Sequence, residues 1–198
     1  VTPDSLGPRV LGNVRVTRKV ADDGDLPVLS GIVPGVMAQT GMETAEILRG
    51  IIRETRPDLV IAIDALAARS IRRLGTTIQL TNTGIHPGSG VGNHRHGLTE
   101  ESLGIPVLAI GVPTVVGAPA IAQDTVAAVA AALEKGSRTK GVGNWLEQMG
   151  AEEQYQLIRE VLDPELGQLY VTPPDIDETV KQLSFTISEG IHRAFYGI

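Results

Sequence analysis

The stretch Leu59-Val60-Ile61-Ala62-Ile63-Asp64 runs five apolar residues without interruption into a carboxylate. A continuous run rich in β-branched residues is typical of a strand that is buried on both faces of a parallel sheet. The pattern therefore predicts a strand over residues 59–63, followed by a helix over residues 65–74. Asp64 would then lie at the carboxyl end of the strand.

Other apolar runs extend this pattern along the chain. They predict strands over residues 28–33, 76–80 and 107–112, with a shorter strand at 169–171. Helical spacing predicts helices over residues 118–135 and 152–162. Another helix is predicted to begin at a capping box formed by Thr40 and Glu43 and to end at residue 56. Thr172 is predicted to cap a final helix. This alternation favours an α/β fold with a mainly parallel sheet flanked by helices. At 198 residues the chain fits a single domain, 1–198.

Composition excludes several classes of function. The formal net charge of -6 argues against non-specific binding to nucleic acid or to anionic lipid. The chain has no cysteine, which rules out disulfides, thiol catalysis and thiolate metal sites. No apolar run approaches the roughly 20 residues that span a bilayer, and residues 1–20 lack the apolar core of a signal peptide. These features predict a cytoplasmic protein.

Two aspartates are candidates for chemistry. Ligands of open α/β sheets bind beyond the carboxyl ends of the strands, where Asp64 is expected. A helix N-cap explains Asp64 equally well, however. Asp4 lies in Val1-Thr2-Pro3-Asp4-Ser5-Leu6-Gly7-Pro8, before a short helix predicted at residues 6–14, and a cap is the simpler interpretation there. No strand precedes Asp4, although a domain of this type needs one at that point.

A glycine-rich loop spans residues 83–93. It has neither the lysine of a phosphate-binding loop nor the glycine spacing of a dinucleotide site. Its glycines indicate a backbone brought close to a ligand or to another segment, or else a plain long loop. His86, His94 and His96 could ligate zinc, but their spacing matches no common zinc motif, which favours solvated loop histidines.

Several motifs, taken together and in order, resemble those of the germination proteases. The resemblance covers almost the whole chain and is densest at Ile61-Ala62-Ile63-Asp64-Ala65-Leu66-Ala67-Ala68-Arg69-Ser70. The other matching segments are residues 1–8, 16–18, 32–37, 39–44, 83–93, 103–107, 110–116 and 171–173.

The resemblance implies an atypical aspartic endopeptidase that is made as a zymogen and cuts the small acid-soluble proteins that coat DNA in the dormant spore. It implies a fold similar to hydrogenase-maturation proteases, a homotetramer, and a location in the spore core. The family's proposed catalytic pair falls on Asp4 and Asp64. No cofactor, metal, membrane or direct nucleic-acid partner is expected.

The chain also departs from the family pattern. It begins where the family has a pro-segment and a first strand, so the catalytic domain is expected to lack both. Gly117 stands where an aspartate is expected, and His94-Arg95-His96 stands where lysine-rich residues are expected. The loop at residues 136–144 is short for the family.

The implied mechanism depends on two adjacent carboxylates. Such a pair shares one proton, so it can act as general base toward water and as general acid toward the leaving amine. Backbone donors of the glycine loop would bind substrate or stabilise the oxyanion. The loop residues concerned are Gly84, His86, Gly88, Ser89, Gly90 and Gly92. Two alternatives stay open: a metal-dependent hydrolase with Asp4, Asp64 and His86 as ligands, and a non-catalytic relative that binds spore proteins.

Overall fold

A computed structural model describes residues 28–35, 40–89, 96–134 and 150–196 of the chain. Within these ranges, one sheet contains four strands: β1 (Val60–Ala68), β2 (Gln79–Thr81), β3 (Val107–Gly117) and β4 (Tyr170–Val171). The helices described there are α1 (Thr44–Thr55), a 3-10 helix (Ile71–Arg73), α2 (Glu100–Leu103), α3 (Ala118–Glu134), α4 (Ala151–Leu162) and α5 (Ile176–Tyr196). The expected α/β class is confirmed, and among the described residues no helix is long and apolar enough to cross a membrane.

The sheet is mixed, so the prediction of a mainly parallel sheet is wrong. β3 is the central strand, and β1 pairs with it in parallel from Val60 opposite Val107 to Ala68 opposite Val116. β2 and β4 both pair with β3 in antiparallel fashion. Between β1 and β2 the chain forms only the short 3-10 helix. A parallel connection needs a crossover of a dozen or more residues, so the chain turns back instead.

β1 is longer than predicted, and the helix expected over residues 65–74 is wrong. The strand continues through residues 65–68 because each has a partner on β3 as far as Val116. Alanine favours a helix when it is alone, but long-range pairing overrides this weak preference. Residues 28–35 form no strand, and Val28 and Val33 are 65% and 60% exposed. The predicted 76–80 strand is found as β2, shifted toward its carboxyl end.

The sheet buries apolar side chains on both faces, as the uninterrupted run in β1 predicted. On one face, Ala62 packs with Val107 and Ala109 against Ala45 of α1 and Leu103 of α2. On the other face, a second cluster packs against α5 and contains Ile61, Ile63, Ile110, Val112, Leu183, Ile187 and Ile191. Burial on both sides fixes the register of β1 against β3, because a slip of one residue would exchange the two faces.

Helix boundaries are set by caps that differ in part from the predicted ones. α1 begins after Glu43, whose N–H donates to Glu46 Oε2 (3.1 Å). The predicted capping role of Thr40 is wrong, since its hydroxyl bonds locally to Met42. α3 and α4 lie where they were predicted. α5 begins at Ile176 and not at Thr172, because the Thr172 hydroxyl donates to the Thr114 carbonyl of β3 (2.9 Å). The predicted helix at residues 6–14 lies outside the described residues.

Candidate functional site

Asp64 lies in the middle of β1, directly opposite Gly111 of β3. The expectation that it ends a strand or caps a helix is therefore wrong, because the strand continues to Ala68. The pairing with β3 that lengthens the strand also moves its carboxyl end away from Asp64. Asp64 is half-buried, and its Oδ1 accepts a hydrogen bond from the Ala65 N–H (2.9 Å).

The main-chain contact controls where the Asp64 carboxylate lies. Alternation along β1 directs Asp64 to the same face as Ala62 and Leu66, both of which pack toward α1 and α2. On that face, the hydrogen bond from the Ala65 N–H holds Asp64 Oδ1 close to the backbone of the strand. Gly111 leaves room on the facing strand, and Leu66 occupies it: a Cβ on Gly111 would lie 2.8 Å from Leu66 Cγ.

A small cavity adjoins Asp64 between the middle of the sheet and α5. Its volume is about 60 Å³. Ser184 closes it from the helix side and is only 2% exposed. Within the part of the chain that the structure describes, the Ser184 hydroxyl has no hydrogen-bond partner. The residues that line the cavity are Asp64, Ala65, Val112, Thr114, Val180, Leu183 and Ser184.

The glycine-rich loop is closed at its base by a backbone bridge. Ile85 N–H donates to Leu98 O (3.0 Å), and Leu98 N–H donates to Ile85 O (2.7 Å). Gly84 lies at this crossing with φ +86°, and a Cβ there would lie 2.8 Å from Thr99 Cα. The close approach predicted from the glycine content is therefore made, at Gly84, to another segment of the same chain.

His86 faces a second, larger recess beside this bridge. Its ring lies over Gly97, where a Cβ would come within 2.7 Å of His86 Nε2. Ser102 Oγ donates to Gly97 O (2.7 Å) and so holds the far side of the bridge. The recess is open to solvent, has a volume of about 490 Å³, and is lined by Asn82, Thr83, His86, Gly97, Thr99, Glu100, Glu101 and Ser102. Its polar wall suits an extended polar chain better than an apolar ligand.

The remaining loop residues are only partly described. Gly88 has φ +76° in a turn closed by Ser89 N–H donating to His86 O (3.2 Å). Gly90, Gly92, His94 and Asp4 lie outside the described residues.

His96 is exposed, and its Nδ1 also contacts the Glu43 carboxylate at the start of α1. Among residues 28–35, 40–89, 96–134 and 150–196, no group of three His, Asp or Glu side chains could hold a metal ion. Asp64 and His86, two of the ligands of the metal-dependent alternative, line different cavities.

Sequence reasoning missed Asp124, which organises the carboxyl end of β1. Asp124 Oδ2 accepts hydrogen bonds from Ser70 Oγ (2.9 Å) and from the Ile71 N–H (2.7 Å). The preceding residue, Arg69, pairs with Glu152 of α4 (2.9 Å). The available signal was a carboxylate in the middle of an alanine-rich helix whose other carboxylate, Glu134, is its last residue, because a half-buried charge requires partners.

Gly117, where an aspartate was expected, ends β3 beside Tyr170. A Cβ at Gly117 would lie 3.4 Å from Tyr170 Cε1, so the aromatic ring packs at van der Waals distance from this position. Burial raises the pKa of Tyr170, and the neighbouring Tyr155 raises it further. A carboxylate that binds the end of β1 is that of Asp124, seven residues further along the chain.

Comparison with known proteins identifies the family. The family model described as germination protease matches residues 1–143. The chain is 51% identical over 201 residues to a germination protease of Caldanaerobacter subterraneus, and 47% identical over 202 residues to one of Clostridium acetobutylicum. Both alignments cover 98% of this chain and 62% of the relative. A germination protease of Bacillus cereus is 43% identical over 235 residues, which cover 99% of this chain and 64% of the relative. The chain therefore spans less than two thirds of the length of these relatives, and it belongs to the germination protease family.

Proposed function

We propose that the protein acts as an endopeptidase in spore germination, degrading small acid-soluble spore proteins with Asp4 and Asp64 as an acid–base pair. The observation that carries the proposal is the position of Asp64 in a chain of this family. It is a half-buried carboxylate in the middle of a strand, beside a cavity with further polar residues in its lining. A hydrophobic sheet rarely accepts a carboxylate without a functional reason.

The proposed chemistry needs one carboxylate in each protonation state. An ionised aspartate takes a proton from water, and the resulting hydroxide attacks the peptide carbonyl carbon. The protonated aspartate then delivers its proton to the leaving amine as the C–N bond breaks. Two carboxylates at close range share one proton, so the pair is described by common titration steps and the two roles are not assigned to single residues.

The recess beside His86 is the proposed place for the substrate chain. Its lining includes the side-chain amide of Asn82 and the carboxylates of Glu100 and Glu101, which can bind the amide groups of an extended peptide. Gly84, His86, Gly88, Ser89, Gly90 and Gly92 are proposed as the loop that binds substrate or the developing oxyanion.

The experiment is replacement of each aspartate by asparagine in the intact protein, with cleavage of a small acid-soluble spore protein as the assay. Asparagine keeps an oxygen acceptor for the Ala65 N–H, so Asp64→Asn should unfold near the wild-type temperature. Cleavage by Asp64→Asn and by Asp4→Asn should fall by about 10²- to 10⁴-fold, the usual contribution of acid–base catalysis.

The matched control is Asp58→Asn, which makes the same chemical change at an exposed position just before β1. It should cleave at the wild-type rate. Near-native cleavage by a folded Asp64→Asn protein would exclude Asp64 from the mechanism. Loss of cleavage on adding a chelator would favour the metal-dependent alternative, and binding of the spore protein without turnover would favour the non-catalytic one.

Further features of the family are proposed for this protein on the resemblance alone. They are synthesis as a zymogen, a location in the spore core, a fold similar to hydrogenase-maturation proteases, a single catalytic domain and assembly as a homotetramer. A light-scattering mass of four subunits would support the tetramer, and a mass of one subunit would contradict it.

A further inference from the structure

β2 lies at the outer edge of the sheet. β1 pairs with β3 from Val107 to Val116, so β2 and β4 share the opposite side of β3. Among the described residues no strand pairs with the far side of β2, and all three of its residues are exposed. Successive residues of an antiparallel strand direct their N–H and C=O groups alternately toward the partner strand and away from it. The outer edge of β2 therefore presents main-chain donors and acceptors that another strand could pair with.

The side chains of β2 give this edge one apolar face and one polar face. Leu80 lies opposite Ile110, which packs in the cluster against α5, so the Leu80 side chain points to that face of the sheet. It is 64% exposed. Gln79 and Thr81 point to the other face, toward α1 and α2. A strand added to this edge would therefore place an apolar side chain beside Leu80 and polar side chains beside its neighbours.

The outer edge of β2 leads directly into the recess beside His86. Asn82 and Thr83 follow Thr81 in the chain, and both line that recess. The Thr83 N–H donates to Thr81 Oγ1 (3.1 Å), which holds this turn against the end of the strand. The edge and the recess therefore form one continuous surface, and a polypeptide paired with β2 would reach the recess after a few residues.

We propose that β2 is a docking strand for the substrate: an extended segment of the spore protein pairs with its outer edge, packs an apolar side chain against Leu80 and continues into the recess. The inference rests on the proposed function, which places the substrate chain in that recess. An extended polypeptide is the occupant because it alone supplies the alternating main-chain donors and acceptors that complete an edge strand.

The docking strand is separate from the site of cleavage. Gln79, Gly111 and Asp64 lie side by side on three adjacent strands. Neighbouring strands lie about 4.7–4.9 Å apart, so a chain on the outer edge of β2 runs about 14 Å from Asp64. An extended chain spans about 3.3 Å per residue, which puts the docked segment about four residues or more from the bond that is cut. Docking therefore strengthens substrate binding and leaves the chemical step unchanged.

The test compares Leu80→Glu with Leu157→Glu, which makes the same chemical change at a 45% exposed position of α4. The intact protein is assayed with a small acid-soluble spore protein as substrate. Leu80→Glu should raise KM about fivefold, the size of one lost cross-strand side-chain pair, and leave kcat unchanged. Leu157→Glu should keep the wild-type KM, and so should Leu80→Val, which retains an apolar side chain suited to a strand.

Amide hydrogen exchange gives a second result that does not depend on the folding of a Leu80 variant. In the Asp64→Asn protein, which should bind the spore protein without cleaving it, exchange at residues 79–81 should slow when the spore protein is added. Unchanged exchange, or an equal KM for Leu80→Glu and Leu157→Glu, overturns the proposal. Protection of all three N–H groups before the spore protein is added also overturns it, because a second copy of the chain would then cover the edge. Full cleavage by Asp64→Asn would instead refute the proposed acid–base pair and leave the comparison of KM values intact.

Discussion

Replacing Gly111 by alanine places a methyl group where Leu66 already packs, directly opposite Asp64. The new Cβ would lie 2.8 Å from Leu66 Cγ. Leu66 Cδ1 would lie nearer still, and carbon atoms in contact normally lie about 3.5–4.0 Å apart, so the end of the Leu66 side chain would have to move by more than about 1 Å. Leu66 packs against the cluster between β1, α1 and α2, which limits the room for that movement.

Two opposing effects determine the magnitude. Overpacking a filled core costs about 1–3 kcal/mol of unfolding free energy. Restricting the unfolded chain by a Gly-to-Ala change returns about 0.4–1 kcal/mol. The overpacking term is larger, so we expect a net loss of about 1–2 kcal/mol. For a domain of this size that corresponds to a fall of about 2–8 °C in the unfolding temperature.

The assay is thermal and urea unfolding of Gly111→Ala, Leu66→Ala and the double variant. Since Leu66→Ala makes room for the new methyl group, the double variant should be more stable than the sum of the single changes predicts. Gly190→Ala is the control, because no atom lies within 4 Å of a Cβ at that exposed position of α5. It should stabilise the protein by about 0.5–1 kcal/mol. An unchanged stability of Gly111→Ala, or strict additivity in the double variant, would refute the reasoning.

Two further predictions concern the end of the sheet. Asp124→Ala removes the acceptor of both Ser70 Oγ and the Ile71 N–H, so urea unfolding should show a loss of stability of about 2–3 kcal/mol. Asp124→Asn keeps an oxygen acceptor and should cost about 1 kcal/mol. Equal losses in the two variants would contradict this account. Burial raises the pKa of Tyr170 in the folded protein above its usual 10.0. The neutral phenol therefore contributes stability that is fully present below the pKa of the unfolded state and is lost as the pH rises through the pKa of the folded state. Between pH 9 and pH 11 the unfolding free energy should therefore fall more steeply in the wild type than in Tyr170→Phe, and parallel pH dependences would count against it.

The sequence alone predicted the elements that depend on local pattern. The uninterrupted apolar runs at residues 59–63 and 107–112 predicted two strands, the first of them buried on both faces, and the clusters on either side of the sheet confirm this. Apolar spacing also located α3 and α4 to within one residue. These predictions succeeded because the period of the apolar residues reports directly which face of an element is buried. The ordered motifs were also sufficient to identify the family.

Only the tertiary structure decided where β1 ends and what surrounds Asp64. Residues 65–68 are compatible with either helix or strand, and their pairing with β3, far along the chain, makes them a strand. The direction of β2 likewise depends on the short connection that precedes it. Asp64 was found from the sequence, but its cavity was not, because Thr114 and Ser184 reach it from β3 and α5. Contacts between residues distant in sequence leave no periodic pattern, so the cavity beside Asp64 and the anchor at Asp124 emerge only when the chain is folded.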